Sequence, residues 1–575
     1  MKDLLAVARG EKPADFVVKG ARVANVYTLE YEEVDVAVFG ETIAGMGKNY
    51  EGKSVVDGKG KILIPGMMDG HIHIESSMLV PATFAEQVVL HGTTAVMPDP
   101  HEIANVLGMK GVEYMYVASR GLPVDVFLGA PSCVPASEFE TPFEDLEMDR
   151  IREMFERGWC QHLGEVMNFP GVIGGDADLW GKIQAAGGVP LTGHAPEVVG
   201  NALCAYLAGG ISSDHESSRP EEALEKLRRG MWLMMREGSS AHDLERLLPL
   251  VRERPDLSSR CMVVSDDISA QDLLKGHMDE KMRLMVRNGL DPLVGLRMVT
   301  LSPAAYFGLK KRGAIGPGFL ADMALVGDLE SCEIDKVWKN GQLTVDGGRR
   351  RQGDVSRAEC VPLPSTPKVA PLSVSQLAIS IPHGADLNVI GMKEGTLLTQ
   401  TLSMIPSIRD GLAVADAERD IAKIVVRDRH REAGNFAVGF VSGLGLTKGA
   451  IASSVAHDAH NFIAAGMDDL SIVTALAHMG ESGGGLAAAE GSKVLGYFAL
   501  PVAGLMTTLD AASAARGLRE VEEKARALGS TISHPFMALS FLSLSVIPEL
   551  RITEKGYIDI RKGSAQPLFS FVEFR

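Results

Sequence analysis

Eight short apolar runs, each followed by a helix-like stretch, constrain this chain more than any other feature of it. They fall at 62–68, 93–97, 125–130, 160–166, 189–192, 211–214, 232–235 and 261–265. Strand-like runs that alternate with amphipathic helices are the pattern of a parallel sheet covered by helices. Eight such units predict a (β/α)8 barrel of the TIM type, with its active site at the C-terminal ends of the strands.

Those ends are where polar residues collect. The first run closes on His71 and His73. Side chains on a strand alternate between faces, so the two imidazoles point the same way and can reach one metal ion. Asp69 and Glu75 share that parity and are expected to orient the rings. A lone pair of histidines one residue apart is more often structural than a ligand pair. Here the second run exposes Asp99, His101 and Glu102, and the fourth ends on Glu165. The fifth and sixth end on His194 and His215, the seventh on Arg236 and Glu237, and the eighth on Asp266 and Asp267. Packing does not account for so many on one edge of a barrel.

The flanks divide the chain further. Residues 15–57 hold short alternating runs punctuated by Gly20, Gly40 and Gly58, which read as a small antiparallel sheet. After the barrel, helices are expected at 278–288 and 292–301. The small β-domain resumes at 314–326 and 337–345, with Asn340-Gly341 as a hairpin turn. The division expected is a β-sandwich domain of residues 1–61 plus 310–348, a barrel of 62–309, a proline- and arginine-rich linker of 349–370, and an α+β domain of 371–575. In that last domain strands are expected at 387–390, 421–426 and 436–441, and helices at 469–479 and 511–528. Its most chemical stretch, His457-Asp-Ala-His-Asn461, offers too few ligands for a metal by itself and reads first as structural, like the glycine turn at 483–485.

Composition removes several classes. A formal charge of −17 argues against nucleic acid and anionic membranes as partners. Six cysteines without a CxxC pair indicate neither a disulfide framework nor a thiolate zinc site. The early charges at Lys2, Asp3 and Arg9 do not fit a secretory leader. The least polar stretch, 531–548, is interrupted by His534 and Pro535 and reads as core rather than as a membrane span. A cytoplasmic protein, as a homo-oligomer, is the expectation.

The strand-end residues resemble the amidohydrolase superfamily, and Gly313-Ala-Ile-Gly-Pro-Gly-Phe-Leu-Ala-Asp322 resembles its re-entry into the β-domain. More narrowly, the chain resembles the bacterial and archaeal adenine deaminases almost from end to end. The matching stretches include Asp69-Gly-His-Ile-His-Ile-Glu-Ser-Ser77, Asp99-Pro-His-Glu-Ile-Ala-Asn105, Gly164-Glu-Val-Met-Asn168, Asp214-His-Glu216, Arg236-Glu-Gly238 and the segment from Gly449 to Asn461. The resemblance implies that His71 and His73 hold one divalent metal and His194 and His215 another. Glu165 would bridge them, where many relatives use a carboxylated lysine, and Asp266 would complete the first site. All these ligands are nitrogen or oxygen, which suits manganese or iron, with zinc possible.

The implied reaction is hydrolysis of adenine to hypoxanthine and ammonia, a purine-salvage step. Asp266 would move the proton, and Glu102, beside His101, or Glu237 would serve as the acid at N1. The alternative on the same metal core is a cyclic-amide hydrolase of the dihydroorotase or hydantoinase kind. The thiolate-zinc deaminases are excluded, since their H-x-E and P-C-x-x-C signature is missing. Loops after the fifth, sixth and eighth runs are short. A second reading of His457, Asp458, His460 and Asn461 is therefore a lid or substrate contact over the barrel mouth.

Overall fold

Gly66 is where the chain leaves one sheet for another. The computed structural model describes residues 1–351, 369–393, 396–432 and 434–571, so most of the expected linker lies outside the described residues. The expected first strand is two strands, Ile62–Pro65 and Met67–His73. A Cβ on Gly66 would sit 2.2 Å from Thr94 Oγ1, so only glycine lets the backbone pass there. Ile62–Pro65 belongs to the β-domain, running antiparallel to Met323–Val326 and parallel to Arg22–Asn25. That domain is a four-stranded sheet facing a seven-stranded one. Val18, Val36, Ile43, Leu63, Met323 and Trp338 fill the space between them. The N-terminal sheet is mixed rather than antiparallel throughout, because Gly52–Asp57 pairs parallel with Ala14–Lys19.

The barrel strands are Met67–His73, Thr93–Pro98, Asp125–Val126 with Gly129–Ala130, His162–Val166, Leu191–Gly193, Ser213–Asp214, Trp232–Arg236 and Cys261–Val264. Every recorded pairing among them is parallel. Asp266–Asp267 pairs with Ile72 and His73 and closes the ring. Alternate residues divide inside from outside. Met234, Met262 and Val264 meet Tyr306 inside the barrel, whereas Leu233, Met235, Cys261 and Val263 join the core under the helices. The helix expected over 292–301 is two, Pro292–Met298 and Leu301–Tyr306. Thr300 turns its hydroxyl back onto Leu296 O at 2.6 Å between them.

The C-terminal α+β domain is a nine-stranded sheet carrying Asp469–Ser482 and Ala511–Ala527, with a three-stranded sheet beside it. It is not separate from the barrel. One continuous apolar core includes Met78 and Leu79 of the barrel together with Val455, Leu505, Met506 and Phe536 of the C-terminal domain. Thr507 and Met78 also share a backbone hydrogen bond of 2.8 Å. Among the described residues, no helix is long and apolar enough to cross a membrane.

Candidate metal centre

Glu165, at the end of the fourth strand, stands between two pairs of histidines. Its Oε2 lies 3.0 Å from His194 Nδ1 and 3.3 Å from His215 Nε2. Its Oε1 lies 3.2 Å from His73 Nε2 and 3.8 Å from His71 Nε2. Asp266 Oδ1 completes the first pair, 3.1 Å from His73 Nε2 and 3.5 Å from His71 Nε2. All six residues are buried. Their donor atoms fall into overlapping triads of the size a metal ion needs: His71, His73 and Glu165; Glu165, His194 and His215; and His71, His215 and Asp266.

The tautomers agree with ligation. His73 Nδ1 donates to the backbone oxygen of Asp99 at 3.0 Å, which leaves Nε2 with its lone pair toward the cluster. His71 Nε2 is buried without a hydrogen-bond partner. A buried unpaired nitrogen is costly, and a cation beside it removes the cost. Burial works against charge here, yet the carboxylates of Asp266 and Glu165 hold His73 well above its ordinary value. The surrounding imidazoles likewise hold Glu165 well below the usual carboxylate range despite its burial. The carboxylates that favour positive charge beside His73 would equally favour a bound cation there. The donor set therefore fits divalent ions.

Asp99 braces both halves. Besides the bond from His73, its Oδ2 accepts from Glu165 N at 2.8 Å. A Cβ on Gly164 would lie 2.3 Å from that oxygen, which is why glycine precedes the bridging glutamate. Asp69 does not orient the His71 or His73 ring as expected. It accepts from Ser265 N at 3.0 Å and pairs with His277 Nε2 at 3.0 Å. Glu75 accepts from Ile103 N at 3.3 Å instead of reaching those rings.

The two candidate acids separate. Glu102 is fully buried, with Oε1 2.6 Å from Ser76 Oγ and Oε2 3.5 Å from His460 Nε2. Ser76 Oγ is also 2.5 Å from Asp267 Oδ1. The single hydroxyl proton of Ser76 cannot serve both carboxylates at once. Burial and the neighbouring Asp266 push Asp267 up to about 6. Glu237 turns away from the cluster, and its carboxylate meets His242 Nδ1 at 2.7 Å. Arg236 takes the inner position. It donates to Asp266 Oδ2 at 3.1 Å, to Asp243 Oδ2 at 3.2 Å and to Glu216 Oε1. Strand parity contained this result, because Met234 faces inward and Arg236 lies two residues on. Glu216, which like Arg236 has no role assigned from the sequence, places Oε1 3.4 Å from His215 Nε2 and 3.6 Å from His194 Nδ1.

The segment 457–461 reaches this centre from the C-terminal domain of the same chain. His101 Nδ1 is 3.6 Å from Glu165 Oε1, and its Nε2 is 3.6 Å from Asp458 Oδ1. His457 stacks on Phe541 at 4.6 Å between ring centroids. Glu102, His457 and His460 also lie close enough to hold an ion. However, His460 Nδ1 accepts from Ala456 N at 3.1 Å, which puts the proton of a neutral ring on Nε2, 3.5 Å from Glu102 Oε2, and among the described residues neither of those buried atoms has a hydrogen-bond partner. A cleft of about 1790 Å3 between the barrel loops and the C-terminal domain has Glu216 and Arg236 in its lining.

Residues 62–344 match the amidohydrolase family, and residues 396–564 match the adenine deaminase C-terminal domain. The chain is 42% identical over 574 residues to an adenine deaminase of Oleidesulfovibrio alaskensis, covering 99% of both chains. It is 44% identical over 573 residues to one of Desulfatibacillum aliphaticivorans, covering 99% of this chain and 98% of that one. Among solved structures, a β-aspartyl dipeptidase of Fervidobacterium islandicum AW-1 aligns over 59% of this chain and 99% of its own, with 18% identity and a TM-score of 0.45.

Proposed function

The chain belongs to the adenine deaminase family of amidohydrolases, and from that premise we propose how its buried residues perform the hydrolysis. The reaction breaks the C6–N bond of adenine with water, giving hypoxanthine and ammonia. The single observation that carries the proposal is the carboxylate of Glu165, with one oxygen toward each pair of histidines.

His71, His73 and Asp266 would hold one divalent ion and His194 and His215 the other, with Glu165 shared between them. Two such ions, when bound, supply a hydroxide at neutral pH by lowering the pKa of water from 15.7 to about 7. Asp266 accepts the proton released on attack and returns it to the departing amino nitrogen. Arg236 fixes the other oxygen of Asp266 and keeps Oδ1 turned toward the site. Attack at C6 builds negative charge on the ring, and Glu102 relieves it by giving a proton to N1. Ser76 and Asp267 replenish Glu102 along their short hydrogen bonds. His101, held between Glu165 and Asp458, excludes water from that side of the ring. Manganese or iron suits this oxygen and nitrogen set, with zinc as the third choice. The loop from His457 to Asn461 acts as a fixed lid, and free adenine is the substrate.

The test is reconstitution. Chelated protein is loaded with Mn2+, Fe2+ or Zn2+, metal per chain is measured, and ammonia release is followed from adenine, adenosine, cytosine and cyclic amides. Two metals per chain and selective release from adenine are expected. One metal at full activity would overturn the two-ion arrangement, and equal release from adenosine would overturn the substrate assignment.

A further inference from the structure

His71 and His73 share one strand, whose backbone fixes both rings. His194 and His215 have no such common element, because they stand at the ends of two different strands, Leu191–Gly193 and Ser213–Asp214. What joins those ends is a buried knot of charges behind them. Asp214 Oδ1 accepts from Ala195 N at 2.9 Å, and its Oδ2 accepts from Ser217 N at 3.0 Å and Ser217 Oγ at 2.7 Å. Lys226, 1% exposed on the helix Pro220–Arg228, stands over the junction. Its ammonium donates to Ala195 O at 2.7 Å, Asp214 Oδ2 at 2.9 Å, Ser217 Oγ at 3.0 Å and Glu222 Oε1 at 2.8 Å. Glu222 Oε1 accepts in turn from Glu197 N at 3.0 Å. Segment 195–197, directly after His194, is thereby tied to segment 214–217, which contains His215.

We propose that Lys226 is a positioning residue for one metal position only, setting the separation of His194 and His215 and hence the affinity of that position. The inference rests on the two-ion reading above. Two observations point to positioning rather than to general stability. Among the described residues, the ammonium hydrogen-bonds only to residues that flank these two ligands or share its own helix, and its three protons are divided among four acceptors that converge from both segments. Among the described residues, its ammonium makes no hydrogen bond to the strands that carry His71, His73 and Asp266. His194 also has separate support, since Tyr206 Oη accepts from His194 N at 3.1 Å and donates to Val166 O at 2.8 Å. Loss of the lysine therefore loosens the ligand pair while that support remains. Groups that orient metal ligands typically set affinity by about 10–100-fold, and Lys226 acts on these two through their chain neighbours Ala195 and Asp214.

The experiment is a titration of chelated full-length protein with Mn2+, read by elemental analysis after equilibrium dialysis and by electron paramagnetic resonance, alongside Tm of the metal-free form. The parent is expected to take two ions and show the signal of a coupled pair. Lys226→Met should keep one ion at parental affinity, bind the second about 10–100-fold more weakly, and show an isolated Mn2+ signal at one equivalent. Ser217→Ala, which removes one neutral partner, should weaken the same ion by a smaller factor. Parallel weakening of both ions, or parental affinity for both, would overturn the inference. If Lys226→Met does not fold, Ser217→Ala decides, and parental affinities there overturn it. A parent that binds a single ion would instead overturn the two-ion reading, so the two failures are distinct.

Discussion

Asp266→Asn isolates the proton-moving role of Asp266 from its role in the backbone. Asp266 has φ of +57°, a left-handed conformation that asparagine tolerates nearly as well as aspartate. Alanine there would add about 1–2 kcal/mol of strain, so its effects would mix folding with chemistry. Asparagine also strands no cation, because Arg236 keeps Asp243 Oδ2 at 3.2 Å and Glu216. What is lost is one negative charge beside His71 and His73 and the basic oxygen 3.1 Å from His73 Nε2. Positioned proton transfer contributes about 10²–10⁴ in rate, or roughly 3–5 kcal/mol of barrier at about 1.4 kcal/mol per tenfold. The expected outcome is turnover reduced by that factor, with Tm close to the parent and adenine binding still measurable. The assay is ammonia release at saturating adenine, with metal per chain measured on the same sample. Turnover within about tenfold of the parent, with both metals present, would refute the role and pass it to Asp267.

Glu165→Ala removes the one carboxylate that faces both histidine pairs, so metal and activity should fall together; retention of both ions with near-normal turnover would show that it is not shared. Ending the chain at residue 364 tests the common core: if about five large apolar side chains lose cover at about 2 kcal/mol each, the cost is about 10 kcal/mol, comparable with the whole stability of a domain. The truncated protein should be insoluble, contrary to what an independent barrel predicts, and a soluble barrel with a cooperative thermal transition would refute this. His457→Ala should forfeit about 0.5–1.5 kcal/mol of stacking on Phe541 and lower adenine turnover as well, by disturbing Asp458 and His101. A fall in Tm with unchanged kinetics would assign His457 to the domain core alone.

Local periodicity determined much of this protein. Alternation along each strand put His71 with His73 and, read to its end, puts Arg236 inside and Glu237 outside. The succession of strand and helix placed Glu165, His194, His215 and Asp266 on one barrel edge, because a parallel sheet brings all strand ends of the same sense to one side. The handover at Gly66 was not legible, since it depends on Thr94 packing against a backbone it does not neighbour in sequence. Nor were the approach of Asp458 to His101, the buried link from Glu102 to His460, or the Lys226 knot. These contacts span distances along the chain that no repeat encodes. They depend on how loops close and on the angle at which one layer packs against another, and only the assembled tertiary structure determines those.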